Sequence, residues 1–483
     1  MNADVTPIAA DKFMTGIPRP YPSAAIGVRL SAFIGAFKAV VVSIAVSGCA
    51  IGPNYSKPEA VLPEQWKEAG DWVVAQPKDA APKGKWWEAF KDPVLDSLEE
   101  QVSVTNQSLA AAEARYRQAH AAVASARSGL FPALGANAGA SRARSTGNRY
   151  TASVDAQWEI DLWGRIRRLV EAARAGEEAS GADLEAARLS IQAELATDYF
   201  QLRVTDVQRD LLADTVKAFE SSYKVTQNRY NAGVAAKVDV VQAESQLLST
   251  RAQALDLEAT RAALEHAIAV LVGAPPANLS IDPAKFEAHI PEVPPGIPTT
   301  LLERRPDIAA AERRMAAANA RIGVAQAAYF PALSLTGAAG FANNSLSTLF
   351  SAPSRFWSLG AGLAGTLLDF GARGAAVDTS RAAYDETVAN YRETVLGAFQ
   401  EVENGLASVH WIAAETQVQQ QAARAARESV VLTVNQYKAG TVSFLNVVQA
   451  QATQLNEERA TVSLLGRRLA ATVALIRAMG GNW

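Results

Sequence analysis

Cysteine is all but missing from this sequence: Cys49 is the only one in 483 residues. No intrachain disulfide can form, and no multi-cysteine metal site is available. Histidine is scarce too. His120, His266, His289 and His410 are scattered, without HExxH or similar spacing, and read as ordinary surface or packing residues. A surplus of charge is also absent. The formal net charge is −3, which gives no electrostatic footprint for nucleic acid or for acidic substrates. Beyond Cys49 there is no uninterrupted apolar run of about 18 residues, so no spanning helix is expected there. What the sequence does have is alanine-rich stretches with clustered proline and glycine, the mark of long helices broken at a few defined places.

The N-terminus carries the localisation. Arg29 and Lys38 precede the apolar run from Ala39 to Val46, and Ser47-Gly48-Cys49 follows. Positive charge, a short apolar run and small residues make a secretory signal. Val46-Ser47-Gly48-Cys49 also resembles a bacterial lipobox, whose cysteine becomes the lipid-modified N-terminus. Ala50 rather than Asp comes next, which in such lipoproteins goes with sorting to the outer membrane. The first 28 residues fit no signal pattern, and a translation start at Met14 or later is the expectation.

The chain is written twice. Residues 109–134 align without gaps to 308–333, with twelve of 26 positions identical at an offset of 199. Asn228-Arg229-Tyr230-Asn231-Ala232-Gly233 matches Asn435-Gln436-Tyr437-Lys438-Ala439-Gly440 at an offset of 207. The growth in offset predicts an insertion of loop type at 343–354. Each half reads as helix, two strands, a very long helix, a turn and a helix. From Gly164 to about Tyr230 no proline intervenes, which predicts a helix of roughly 100 Å. After Gly233, Val241, Leu248, Leu255, Ala262 and Ala269 recur every seven residues. Ser245, Ala252, Ala259 and His266 complete a heptad seam that predicts a coiled-coil partner for the long helix. Residues 273–306 hold eight prolines and form a connector of short irregular elements around the outside of the helices.

Between Tyr150 and Leu162 the pattern alternates completely. Tyr150, Ala152, Val154, Ala156, Trp158, Ile160 and Leu162 are apolar, and the residues between them, with Asp155, Glu159 and Asp161, are polar. One greasy face and one face bearing carboxylates fits a membrane barrel with lipid outside and water inside. A half-buried strand in a soluble sheet would alternate in the same way. Residues 133–142, 333–341 and 356–368 are the other candidate strands, and 145–149 an exposed loop tip. Gly360-Ala361-Gly362-Leu363-Ala364-Gly365 matches GxGxxG, but it lies inside a strand candidate rather than between a strand and a helix. It reads as small residues in a packed wall, not a dinucleotide site. Four strands cannot close a barrel, and the smallest outer-membrane barrels, of about eight strands, are filled by side chains. A conducting tube therefore argues for a trimer, with Asp155, Glu159 and Asp161 facing the lumen.

Several motifs together resemble the TolC-like outer membrane factors, in particular the lipoprotein branch serving resistance-nodulation-division (NodT-type) efflux systems. They are Cys49 with Gly52-Pro53-Asn54-Tyr55, the segment from Lys85 to Pro93, Trp158 to Arg165, Arg304 to Ile308, and the two YxAG turns. The resemblance implies a mainly α trimer, with a twelve-stranded outer-membrane β-barrel, four strands per chain, on a long periplasmic helical barrel with a mixed belt. It divides the chain into a signal peptide (1–48), a lipid-anchored extended segment (49–94), a first repeat (95–272), the connector (273–306) and a second repeat (307–483). Gly233-Val234 and Gly440-Thr441 match the tips that meet a periplasmic adaptor protein, itself coupled to an inner-membrane pump. Asp239 and Tyr437 match positions that hydrogen-bond across the closed periplasmic end. Asn446 and Gln449 stand where the family has a ring of carboxylates, and Val442 where it has a basic residue. The implied function is an exit duct for small molecules, with no cofactor, no metal and no catalytic chemistry. Two rivals remain at this point: a duct for exported proteins, and a lipid-anchored coiled-coil scaffold with no pore.

Replacing Cys49 by Ser is expected to abolish metabolic palmitate labelling while much trimer assembly survives, because a barrel anchors far more firmly than one acyl chain. Retained label would show that the lipid is attached at a residue other than Cys49.

Overall fold

The computed structural model describes residues 50–57, 66–67, 84–291, 293 and 304–481. The signal segment and Cys49 itself lie outside the described residues. In chain order the elements are α1 (Pro93–Thr105), α2 (Gln107–Ser128), β1 (Ala133–Ala143), β2 (Gly147–Ile160), α3 (Arg165–Asn231) and α4 (Lys237–Leu271). The second half follows with α5 (Pro306–Ala327), β3 (Ala332–Asn343), β4 (Arg355–Ala364), α6 (Ala372–Lys438) and α7 (Phe444–Ala478).

The repeat is carried into the backbone. α3 and α6 each run 67 residues, α4 and α7 each 35, and α2 and α5 each 22. The extra residues of the second half fall between β3 and β4, where the offset change places them. β1 and β2 are joined at 144–146, whereas β3 and β4 are joined by 344–354, with short 3-10 turns at Leu346–Thr348 and Ala352–Ser354.

Each long helix is a single span of roughly 100 Å, held by lateral packing rather than by a globular core. α3 lies along α2, α4 and α5, and α6 along α5 and α7. The heptad expectation for α4 needs correcting. The stripe that faces the rest of the chain contains Val240, Ala243, Leu247, Thr250, Leu257, Arg261 and Ile268. Val241, Leu248 and Leu255 lie one residue round the helix and remain exposed, Leu255 at 72%. Only at the end of the helix does the predicted stripe bury a residue, Ala269. α4 therefore has two apolar stripes, and the chain's own partner takes the other one.

The dense core sits at mid-height, where the halves wrap around one another. Trp86, Trp87 and Phe90 of a 3-10 turn join Leu95, Leu98 and Val102 of α1 against Leu195, Tyr199, Phe200 and Leu202 of α3. Tyr391, Val402 and Leu406 of α6, Leu469 and Ile476 of α7, and Ile281 of the connector complete it. Asp92 caps α1 through the N–H groups of Val94 and Leu95 and accepts from the Tyr199 hydroxyl at 2.7 Å.

A buried ion network ties the connector to the helices. Asp206 accepts from Arg261 Nε at 2.7 Å and from Arg203 Nη1 at 3.4 Å. The same guanidinium groups donate to the carbonyls of Ile281 and Asp282. Among the described residues up to 291 the connector is irregular apart from a 3-10 turn at Pro276–Asn278.

Glu99 of α1 is fully buried, and neither carboxyl oxygen has a hydrogen-bond partner. Burial, with the Asp96 charge adding to it, pushes its pKa up to about 9. The folded chain thus holds a proton that the unfolded chain releases once the pH exceeds the ordinary glutamate range. Stability contributed by this group falls as pH rises from there toward 9, by at most about 1.4 kcal/mol per pH unit. Glu99→Gln is expected to remove that slope, and urea midpoints measured between acid and alkaline pH check it.

Candidate functional site

Two regions carry functional geometry, the sheet at one end of the chain and the helical hairpin tips at the other. The sheet has four antiparallel strands in the order β1-β2-β3-β4. β2 pairs with β1 so that Val154 faces Ala136 and Asp155 faces Gly135, and with β3 so that Val154 faces Ala339. β4 continues the register, with Trp357 opposite Ala339 and Leu359 opposite Gly337.

This register sorts the two faces through the middle of the sheet, except that Phe356, opposite Gly340, stands on the polar face. One face carries Leu134, Ala136 and Ala138, then Ala152, Val154, Ala156, Trp158 and Ile160, then Leu333, Leu335 and Ala339, then Trp357, Leu359 and Leu363. The other carries Asn137, Thr151, Ser153, Asp155, Gln157, Glu159, Ser334 and Thr336, with Gly360 and Gly362 beside them. The GxGxxG stretch is thus strand wall. A Cβ added at Gly360 would lie 2.9 Å from Thr336 Oγ1, so glycine is what lets the neighbouring threonine stand there.

On the apolar face Trp357, Leu359 and Leu134 are 77%, 81% and 74% exposed. β1 and β4 each have a free edge among the described residues. Among the described residues, no helix is long and apolar enough to cross a membrane.

The three carboxylates have different surroundings. Asp155 accepts from Asn137 Nδ2 at 2.6 Å and from Ser153 Oγ at 3.0 Å on the polar face. Glu159 is held by the Arg165 guanidinium in two parallel bonds of 2.7 and 3.0 Å. Asp161 lies past the end of β2 and is nearly buried. Its carboxylate accepts from the N–H groups of Ile166 and Arg167, at 3.1 and 2.9 Å, and so caps the start of α3. The unbroken alternation to Leu162 concealed this switch from strand to cap.

The segment after Cys49 docks at the same level. Ile51 N–H donates to the Trp163 carbonyl at 3.1 Å. Arg168, buried in α3, donates to the carbonyls of Ile51 and Gly52 and to Asn54 Oδ1. Asn319 of α5 donates to the Pro53 carbonyl. Ala50 is packed so closely against Gly164 that a side chain there would collide with it. Arg168 and Asn319 gave no signal in the sequence, because each reads as one more polar residue on an alanine-rich helix.

At the far ends of the long helices both hairpins reverse in the same way. Gly233 and Gly440 adopt φ of +75°, where glycine alone has no steric penalty. The Val234 N–H returns to the Arg229 carbonyl at 2.9 Å, and the Thr441 N–H to the Gln436 carbonyl at 3.0 Å. Both are Schellman closures that satisfy orphaned helix-end carbonyls. Val234 stands 65% exposed, and Thr441 is exposed as well.

The expected gate residues are spread over these hairpins. Tyr437 is buried with Ala243, Phe444 and Val447, its ring edge-on to Phe444 at 5.3 Å. Its hydroxyl has no hydrogen-bond partner among the described residues, Asp239 included. Asn446 accepts from the Ser443 hydroxyl at 2.7 Å within the first turn of α7, and Gln449 is exposed. The residue that sequence reasoning missed is Arg229, whose guanidinium carbon lies 4.7 Å from the centre of the Tyr437 ring. A cation comes to Tyr437 from the first hairpin, while Val442 occupies the basic position of the second. Within the repeat, Tyr230 corresponds to Tyr437 and is capped by Lys237 at 5.5 Å.

A model of the outer membrane efflux protein family matches residues 98–274 and 297–481. The chain is 31% identical over 458 residues to the probable efflux pump outer membrane protein TtgC of Pseudomonas putida, covering 92% of this chain and 94% of that one. It is 32% identical over 438 residues to the pyoverdine export outer membrane protein OpmQ of Pseudomonas aeruginosa, covering 87% and 91%. Among solved structures, the outer-membrane channel OprN superposes with a TM-score of 0.83 at 31% identity, covering 90% of this chain and all of that one. The open-state MtrE channel of Neisseria gonorrhoeae superposes with a TM-score of 0.80 at 28% identity, covering 89% and 98%.

Proposed function

This chain belongs to the outer membrane efflux protein family and is an outer-membrane efflux component, and from that premise we propose that three copies form one conduit. The conduit joins a periplasmic adaptor and an inner-membrane pump and conducts small molecules outward. The observation that carries this reading is the sheet, with one face apolar through its middle, one mainly polar face and two free edges among the described residues. A strand edge exposed in hydrocarbon leaves backbone N–H and C=O groups unbonded, so the edges must close on other copies. Three copies supply twelve strands, enough for a water-filled lumen, whereas two supply only a barrel plugged by its own side chains. Asp155 and Glu159 then line the lumen, and Asp161 braces the helix below them. The exposed Val241, Leu248 and Leu255 stripe of α4 is available to a neighbouring copy in the helical barrel.

Small cargo is supported by the relatives, whose names specify toluene, antibiotic and pyoverdine export. The family is one of efflux ducts rather than enzymes, and energy for transport comes from the pump. Cys49 carries the lipid. In support, Ala50, the residue that follows it, sits against Gly164 just past the end of β2. Gly233, Val234, Gly440 and Thr441 form the adaptor-contacting tips, with exposed side chains and reversed backbone free to dock.

Asp239, Tyr437, Asn446 and Gln449 form the periplasmic gate. The buried and unbonded Tyr437 hydroxyl supports this, because such a group costs on the order of 1–3 kcal/mol until a neighbour satisfies it. Asp239 is the candidate acceptor, through a charge-assisted bond between hairpins.

Native mass spectrometry of the detergent-extracted protein is expected to give the mass of three chains, and a stable dimer or monomer would overturn the barrel assembly. Tyr437→Phe and Asp239→Ala are each expected to raise single-channel conductance in planar bilayers without loss of assembled trimer. Unchanged conductance in both variants would leave Tyr437 with only a packing role.

A further inference from the structure

The outer end of the sheet carries a charge pattern that the conduit does not use. Within 133–154 and 332–368 the only charged side chains are Arg142, Arg144, Arg149 and Arg355. All four are exposed. The ion pairs of the barrel region fall instead at its helical end, on Arg165, Arg167 and Arg373.

The register sorts these arginines by face. Arg142 continues the alternation of Ala138 and Ala140, and Arg355 pairs with Phe341, so both stand on the apolar face. Arg149, opposite Ser141, stands on the polar face, and Arg144 lies in the turn. A guanidinium on a surface facing hydrocarbon extends its stem along that surface and places its charge at headgroup level.

The surroundings of Arg355 are apolar and aromatic. Trp357 follows on the same face of β4 and is largely exposed. Across the strand pair, Phe341 holds Phe350 edge-on, with ring centroids 5.3 Å apart. Phe350 belongs to the longer loop, 344–354, which is fastened back on itself. Asn343 Nδ2 donates to Ser354 Oγ at 2.6 Å, and the Ser351 and Ser354 hydroxyls donate to the Thr348 carbonyl at 2.7 and 2.9 Å. So folded, the loop sets Phe350 over the apolar face while leaving it 69% exposed.

We propose that this outer rim is a docking surface for phosphorylated lipid of the outer leaflet, with Arg142 and Arg355, on the opposite edge strands of the sheet, each binding a lipid phosphate, and Phe350 and Trp357 packing on acyl chains beside Arg355. The fork of donors on a guanidinium matches phosphate oxygens in pairs. The occupant is a lipid rather than a soluble anion because the arginines rise from the face that meets hydrocarbon. The flanking rings gain nothing from a phosphate in water. This surface is continuous with the barrel wall, and the proposal rests on the outer-membrane placement above.

The test uses the full-length protein in phosphatidylcholine vesicles containing either diphosphoryl lipid A or the same lipid stripped of its phosphates. Lipid retained on the extracted protein is counted by native mass spectrometry, and channel conductance is measured on the same preparations. The phosphorylated form is expected to be retained preferentially. Arg142→Gln and Arg355→Gln should each lower that retention roughly fivefold, and Phe350→Ser should lower retention of both lipid forms. Arg149→Gln, at similar height on the opposite face, should change nothing. Equal losses in Arg149→Gln and Arg355→Gln would reduce the effect to a diffuse positive field and overturn the site. Displacement of the lipid by inorganic phosphate would likewise overturn it, in favour of a soluble-anion site. Preparations that conduct but show no phosphate preference overturn the docking surface and leave the conduit standing.

Discussion

A four-stranded sheet with one face apolar through its middle cannot be at rest within one chain, and this constraint organises the rest of the molecule. The register puts every large apolar side chain of β2 on the face that no helix covers. Both edge strands have unpaired backbone groups. In water the apolar face would drive aggregation, and in hydrocarbon the edges would cost several kcal/mol for each unbonded group. Closure with other copies inside a membrane answers both demands. The long helices continue directly from the sheet, α3 after β2 and α6 after β4.

Two hairpins of this length have little to hold them straight except one another. The mid-height core supplies the fixed point, and its polar part matters as much as its aromatic part. Asp206, between the guanidinium groups of Arg203 and Arg261, anchors α3, α4 and the connector carbonyls at one place. A buried pair of this kind contributes little net stability against an apolar replacement, but losing one member leaves a charge stranded. Its effect is to fix register between helices whose alanine-rich faces would otherwise slide. The connector contributes the carbonyls of Ile281 and Asp282.

The two halves share backbone and differ in chemistry, and the differences fall where asymmetry has a use. At the tips the same glycine turn is made twice, yet Tyr230 is covered by Lys237 and stays partly exposed, whereas Tyr437 is buried between Phe444 and Arg229. One hairpin thereby presents a polar face and the other an apolar one with an unbonded hydroxyl inside. At the opposite end the second half alone has the longer loop, which turns Phe350 onto the outer wall. A gene written twice thus yields a barrel wall and helices of uniform geometry with different contacts at each end.

Much of this was legible in the sequence. Alternation set the strands, missing prolines set the long helices, and paired offsets located the inserted loop, because each depends on local backbone preference and side-chain period. Glycine at the tips was equally plain, since only a residue without Cβ reverses the chain there without strain. Tertiary structure alone decided which of two apolar stripes on α4 meets the chain and which faces outward, because both have the same period. It alone turned Asp161 from a strand carboxylate into a helix cap, and brought Arg229 to Tyr437 across more than two hundred residues of sequence. It also gathered Arg168 and Asn319 under the N-terminal segment. Such contacts depend on how helices are rotated and docked, and a pattern read along one helix holds no record of that rotation.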